Sequence, residues 1–383
     1  MNSSIFLRPS RGVFIGRILG IELYLDPSWF IMLALLILSL ISSFARGSDA
    51  AHSELVTWAM GIGGALFFFL SILLHELGHS VVSQRCGIPV PRITLLFVGG
   101  VAEISREPDT PQAELKIALG GPAVSVGLIG LYTGVWVLFG RFGWDAAADV
   151  ALWLAMANAA LVLFNMIPGY PLDGGRLLRA VLWAHSGNLR RATYVSSRIG
   201  IGLSWLLIAW GLYALTYLQQ WGALPLFFVA MFLKSAAQSG YSNVLEREML
   251  GGLSARDLMT APPAALPDSL PLNIAADDYF LRTHQDTLPV CNAAGDFLGF
   301  LRLQSLFEIP RPRWPYASVG DLDPGCFVQA LEAAPDEPAN RVSRRVLAAA
   351  PDPLAVVDDG KLVGMITPQD LQRAISVRML LEN

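Results

Sequence analysis

Up to about residue 240 the chain alternates long apolar stretches with short charged ones; beyond that its character changes. Six apolar runs, roughly 28–45, 56–83, 114–140, 149–167, 195–218 and 221–239, approach or exceed the ~20 residues a helix needs to cross a bilayer. Two intervening segments have strand character. Gly12 to Tyr24 alternates loosely and runs into an Asp26-Pro27 turn. Arg92 to Ile104 (RITLLFVGGVAEI) is β-branched around a central Gly99-Gly100. A bare strand edge cannot face lipid, so these segments are expected to pair with each other, lie at the interface, or line a cavity. An open edge near a site also binds extended peptide by strand addition.

From about Ser254 the chain is polar, charged and Pro-rich, and it repeats itself. LPVCNAAGDFLGFLRLQSL (288–306) aligns with LAVVDDGKLVGMITPQDL (354–371), and Asp257-Leu258 with Asp321-Leu322, a period of about 64–66 residues. That is too long for a solenoid unit and suits a duplicated small α/β module. Each copy reads as helix, short strand, helix, two strands around a turn, helix. The expected organisation is a membrane-embedded α-helical part (1–240) of about six spans with a short membrane-associated β segment. A linker (241–253) and two α/β modules (254–312 and 313–383) follow.

Composition agrees. Of 383 residues, 54% are apolar and 15% charged, against about 25% charged in ordinary globular chains. The net charge of -4 and the absence of a basic tract argue against nucleic acid as partner. Cys86, Cys291 and Cys326 are odd in number and form no C-x-x-C pair, which disfavours a disulfide framework or a thiolate metal site. The first apolar run comes late and no small-residue cleavage site follows, unlike a signal peptide. Loop charges set an orientation. Arg8, Arg11, Arg17, Arg85, Arg92, Arg106, Lys116, Arg176, Arg179, Arg190, Arg191 and Arg198 fall on one side. Only Arg46 and Arg141, with Asp49, Glu54, Asp145 and Asp149, fall on the other. The positive side faces the cytoplasm, so both termini and the duplicated tail are expected there, in an integral cell-membrane protein.

The chemistry concentrates at two places. His75-Glu76-Leu77-Gly78-His79 lies near the cytoplasmic end of the second run. Positions i and i+4 share a helix face, so both imidazoles can bind one metal with Glu76 beside it. Zinc held there would bring the pKa of its water to about 7, and Glu76 could take that proton. Ionisable groups inside an apolar helix are functional by default; the plain alternative is a pair of structural histidines with Glu76 as partner. A catalytic zinc takes three protein ligands and a water. Asp173, the only acid between Asp149 and Glu246, ends the segment Asn165–Gly175 after the fourth run. Pro168 and Pro171 break the helix there, and broken helices at membrane depth line cavities. Asp173 is thus the candidate third ligand, or a cap for the helix that follows. Asn165 can donate to a substrate carbonyl or its oxyanion, or satisfy backbone freed by Pro168. Gly120-Gly121-Pro122 in the third run reads foremost as close helix packing, with substrate gating as the alternative.

These residues resemble the site-2 protease family of intramembrane zinc metalloproteases. HELGH (75–79) looks like the family's H-E-x-x-H helix, and NMIPGYPLDGG (165–175) like its N-x-x-P-x-x-x-L-D-G segment. Gly121-Pro122 resembles the Gly-Pro of its third span; Ser125, three residues on, stands where some members have Asn. LYLDPSWF (23–30) looks like the family's entry into its first helix. The resemblance covers roughly 12–240. It implies His75, His79 and Asp173 as zinc ligands, Glu76 as general base and Asn165 as a substrate-positioning residue.

The tail, about 251–375, resembles a pair of cystathionine-β-synthase (CBS) domains through Gly364-Met-Ile-Thr367-Pro-Gln-Asp370. The resemblance implies that Thr367 and Asp370 bind the ribose and phosphate of ATP, ADP or AMP. Thr367 as a plain helix cap is the alternative. Arg302 and Ser305 occupy the matching places of the first copy, and CBS pairs form dimers, which makes a homodimer a further expectation. Together the resemblances imply regulated proteolysis of a membrane protein within or near its transmembrane segment. The rival readings are a CBS-regulated channel or transporter and an inactive protease-like scaffold.

Overall fold

The computed structural model describes residues 12–47, 52–97, 99–219, 224–328 and 331–381. Arg8, Arg11, Asp49 and Val98 lie outside them. The chain divides into two compact units between Val244 and Leu245.

The first unit is helical with one small sheet. Among the described residues five helices are long and apolar enough to cross a membrane. They are α1 (Pro27–Gly47), α2 (Glu54–Arg85), α3 (Pro111–Arg141), α4 (Asp145–Asn165) and α6 (Leu189–Thr216). Between α4 and α6 lies α5 (Asp173–Ser186), whose end is marked by Gly187 at φ 68°, the left-handed stop that glycine permits. The sixth apolar run falls on α7 (Leu224–Leu250). Lys234 interrupts its apolar face and sits over the Trp205 ring of α6, 4.3 Å from the centroid. Polar side chains start the helices. Ser53 accepts from Val56 N–H before α2, Thr110 from Ala113 N–H before α3, and Asn188 from Arg191 N–H before α6, as N-caps do.

Each expected strand segment turns out to be a hairpin. β1 (Val13–Ile18) and β2 (Ile21–Leu25) pair antiparallel, as do β3 (Arg92–Leu96) and β4 (Gly99–Glu103). β2 joins β3 in parallel, giving the order β1-β2-β3-β4. Leu19 and Gly20, both at positive φ, make the two-residue turn that suits a twisted hairpin. A leucine in that place hides the turn from sequence. Ile21, Leu23 and Ile93 of this sheet bury against Leu77 of α2, which holds β4 over the helix bearing the histidines.

The second unit shows the duplication. The first copy contains α8 (Ala255–Leu258), β5 (Leu266–Pro267), α9 (Leu272–Ile274), a π-helical turn (Ala275–Phe280), α10 (Leu281–Thr283), β6 (Thr287–Cys291), β7 (Phe297–Arg302) and a 3-10 turn (Leu303–Glu308). The second has a 3-10 turn (Val319–Asp321), β8 (Phe327–Val328), β9 (Glu332–Ala333), α11 (Ala339–Ala349), β10 (Leu354–Asp358), β11 (Lys361–Ile366) and α12 (Pro368–Leu381). The β6–β7 and β10–β11 hairpins match in detail. Val290 pairs with Gly299 and Val356 with Gly364, each followed by a register shift with one extra residue on the second strand, Leu298 or Val363. The opening turns are exchanged. Ala255 and Leu258 bury with Leu354 and Ile366 of the second copy, while Val319 and Leu322 bury with Leu266 and Leu288 of the first. The linear boundary near 312 is therefore not where the cores divide. All three cysteines are free. Cys326 donates to Glu308 Oε2 at 2.9 Å, and burial together with that carboxylate pushes its thiol up to about 11, an inert state at neutral pH.

Candidate metal centre

His75 and His79 leave one face of α2 and bring their Nε2 atoms to 3.2 Å of each other. Asp173 opens α5 and straddles them, with Oδ2 3.2 Å from His75 Nε2 and Oδ1 3.2 Å from His79 Nε2. All three are buried. Zinc binds imidazole nitrogen and carboxylate oxygen at about 2.0–2.2 Å, which puts tetrahedral ligand atoms about 3.3 Å apart. The observed 3.2 Å separations, with one carboxylate oxygen opposite each imidazole, are close to that spacing. Two imidazoles and one carboxylate form the donor set of a catalytic rather than a structural zinc, so the residues fit the ion.

The outer ring nitrogens are also held. His79 Nδ1 lies 2.6 Å from the Ile117 carbonyl oxygen. A carbonyl only accepts, so that nitrogen carries the proton and Nε2 presents its lone pair to the centre. The Gly121 amide, 3.3 Å from the same Nδ1, is the more distant neighbour. His75 Nδ1 lies 2.9 Å from Ser125 Oγ. Ile117, Gly121 and Ser125 are four residues apart on α3 and share a face. A side chain at Gly121 would collide with Nε2 of His79. Gly120, beside it, meets Gly78 of α2 backbone to backbone. The Gly-Gly-Pro expectation of close packing therefore holds for Gly120, and Gly121 borders the metal centre itself.

The break between α4 and α5 delivers Asp173. Pro168 and Pro171 keep the chain out of helix, and Gly174 and Gly175 lie so close to Met166 and Gly169 that a side chain would collide. Tyr170 N–H donates to Ser196 O at 3.1 Å, and Ser196 Oγ donates to Gly175 O at 2.6 Å, tying the break to α6. Asp173 is the first residue of α5 and not its cap; the cap position is Leu172, and the carboxylate faces the imidazoles. Asn165, the last residue of α4, places Nδ2 3.5 Å from His75 Nε2. It joins the centre rather than the backbone near Pro168.

Glu76 lies under the sheet. A Cβ on Gly100 of β4 would run into Glu76 Cγ, so only glycine lets the strand pass this close. β4 pairs with β3 on one side only, and its other edge is free among the described residues. Val101, on this strand, is exposed. A second polar group anchors α5. Arg179 Nε donates to Glu114 Oε1 of α3 at 2.7 Å, and Nη2 to the same oxygen. Both residues are buried, and the Tyr170 ring lies 5.3 Å from the guanidinium. In the sequence Arg179 reads as a loop charge, and the one signal of this pair is that Glu114 and Arg179 are opposite charges near the ends of apolar runs.

In the tail, Thr367 caps α12. Its N–H and hydroxyl both donate to Asp370 Oδ2, at 2.8 and 2.6 Å. At the matching place of the first copy Arg302 forks onto Asp352, and Ser305 Oγ donates to Cys326 O at 3.2 Å.

The model of peptidase family M50 matches residues 63–143 and 141–207, and the CBS domain model matches 255–311 and 332–377. The zinc metalloprotease Rip3 of Mycobacterium tuberculosis is 33% identical over 368 residues, covering 96% of this chain and 93% of its own. The zinc metalloprotease MJ0392 of Methanocaldococcus jannaschii is 27% identical, covering 96% of each. A solved site-2 protease from Methanocaldococcus jannaschii aligns with TM-score 0.41 and 26% identity, over 60% of this chain and 95% of that one.

Proposed function

The chain belongs to peptidase family M50, the site-2-type zinc metalloproteases, and carries two CBS domains; from that premise we propose that it cuts other membrane proteins in or near a transmembrane segment. The observation that carries this reading is the buried cluster of His75, His79 and Asp173, with each imidazole Nε2 3.2 Å from a carboxylate oxygen, beside Glu76 and the free edge of β4. In this reading His75, His79 and Asp173 hold one zinc. When bound, it supplies a Lewis acid for the scissile carbonyl and an acidified water. Glu76 takes the proton of that water and hands it to the leaving amine. The Asn165 amide donates to the carbonyl oxygen, where negative charge develops. A transmembrane helix hides its carbonyls in internal hydrogen bonds, so the substrate must unwind first. The free edge of β4 offers the unwound peptide the hydrogen bonds it has lost.

Both termini lie in the cytoplasm in this reading, which the Arg-rich loops support, and the CBS pair there regulates the protease. Thr367 and Asp370 are the residues for ribose and phosphate of an adenine nucleotide, a role supported by the Gly-x-x-Thr-x-x-Asp pattern. Such proteolysis releases a signalling fragment after a first cut elsewhere. The test is cleavage of single-span reporters by the purified chain in vesicles, with the cut mapped by mass spectrometry. Cuts inside the span that disappear in Glu76→Gln are expected; cuts confined to the loops contradict the reading. Calorimetry of the same protein with ATP, ADP and AMP tests the tail, and absence of heat with all three contradicts its nucleotide role.

A further inference from the structure

We propose that Ser125 is a positioning residue: its hydroxyl fixes the ring orientation and tautomer of His75, and through them the zinc affinity of the centre. The inference rests on reading His75, His79 and Asp173 as the zinc site.

The two imidazoles are supported differently. His79 Nδ1 faces a main-chain carbonyl, Ile117 O, which no substitution removes. His75 Nδ1 faces a side chain, Ser125 Oγ, at 2.9 Å. Ser125 is fully buried, so water does not replace it. The remaining polar neighbours of His75, namely His79, Asp173 and Asn165, all sit at Nε2. Ser71, one turn before His75, has its hydroxyl on Phe67 O at 2.9 Å and Tyr132 OH at 3.1 Å. With zinc on Nε2, the ring proton is on Nδ1 and Ser125 is its acceptor. Accepting it there leaves the Nε2 lone pair for the metal, and the short serine side chain sets the plane of the ring. Without the hydroxyl, a buried N–H has no partner in the native rotamer, and the ring gains by turning away.

The test compares wild type with Ser125→Ala, Ser125→Thr and Ser125→Asn as full-length protein in detergent micelles. Three quantities are read: zinc affinity by chelator competition, the visible spectrum of the cobalt-substituted protein, and the melting temperature without metal. Alanine is expected to weaken zinc binding 10–100-fold and to alter the cobalt spectrum, with the metal-free melting temperature unchanged. Threonine or asparagine, each bringing an oxygen to Nδ1, is expected to restore both readings. Alanine with wild-type affinity and spectrum overturns the proposal and leaves the zinc site standing. Weakening that neither threonine nor asparagine restores, or that tracks a fall in the metal-free melting temperature, also overturns it, since packing then explains the loss. Wild type that binds no zinc removes the metal site and this inference together.

Discussion

Gly78 and Gly120 touch backbone to backbone: a Cβ at Gly78 would come 2.5 Å from the Gly120 carbonyl oxygen, and a Cβ at Gly120 would come 2.6 Å from that of Gly78. The contact lets α2 and α3 approach closely enough for the histidines of one helix to reach Ile117 and Ser125 of the other. Alanine at either position forces the helices apart, at a cost of about 1–3 kcal/mol for an overpacked interior. Gly78→Ala and Gly120→Ala are expected to lose most of their bound zinc while remaining in the membrane. Zinc analysis of the purified variants checks this; a full complement in both contradicts it.

Gly100 separates strand geometry from metal geometry. Its missing side chain makes room for Glu76 and touches no zinc ligand. Gly100→Val is expected to keep zinc and to lose cleavage by at least ~10-fold, about 1.4 kcal/mol of barrier. Val101→Pro, which removes a backbone donor from the same strand, is expected to act in the same direction. Metal content and reporter cleavage, measured on one preparation, decide it.

Glu114 and Arg179 hold α5 to α3 by a buried ion pair. Breaking one partner strands the other charge, which costs about 3–5 kcal/mol, whereas replacing both with apolar residues is often neutral. Glu114→Gln is expected to melt markedly earlier than wild type and Glu114→Leu/Arg179→Met close to it. Equal melting of all three would show that the pair contributes nothing.

The tail has an acid-sensitive element. Asp257 accepts from Ser254 N–H and Oγ–H, and Asp321 accepts from Ser318 likewise. These bonds, the backbone ones foremost, hold both carboxyls below their ordinary value of 3.8. A carboxyl lowered by folding stabilises the fold above its unfolded value, and the contribution fades as pH falls below it. Protection of the Ser254 and Ser318 amides from hydrogen exchange is therefore expected to hold at pH 5–7 and to fall below about pH 4. In Asp257→Asn the Ser254 amide is expected to show no such acid dependence.

Much of this was legible in the sequence because its signals are local. The apolar runs give the helices, and the i, i+4 spacing of HELGH places both imidazoles on one face. The prolines mark the break that carries Asp173. The duplication of the tail shows in its matching hairpins. What stayed hidden depends on contacts between distant segments. Leu19 at positive φ concealed the first hairpin turn, so one strand was expected where there are two. Ser125 drew notice only as a departure from a motif, since its worth lies in a contact 50 residues away in sequence. Gly100 stands out in the sequence only as half of a central Gly-Gly pair, and its purpose appears only with Glu76 beneath it. The exchange of Ala255 and Val319 between the two tail cores leaves no trace in the repeat register.

The most direct test of the central claim measures zinc and cleavage together in wild type, Glu76→Gln and Asp173→Ala. About one zinc per chain is expected in wild type, with reporter cleavage. Glu76→Gln is expected to keep the zinc and lose the cleavage, and Asp173→Ala to lose both. Wild type without zinc, or cleavage that survives Glu76→Gln, would contradict the account.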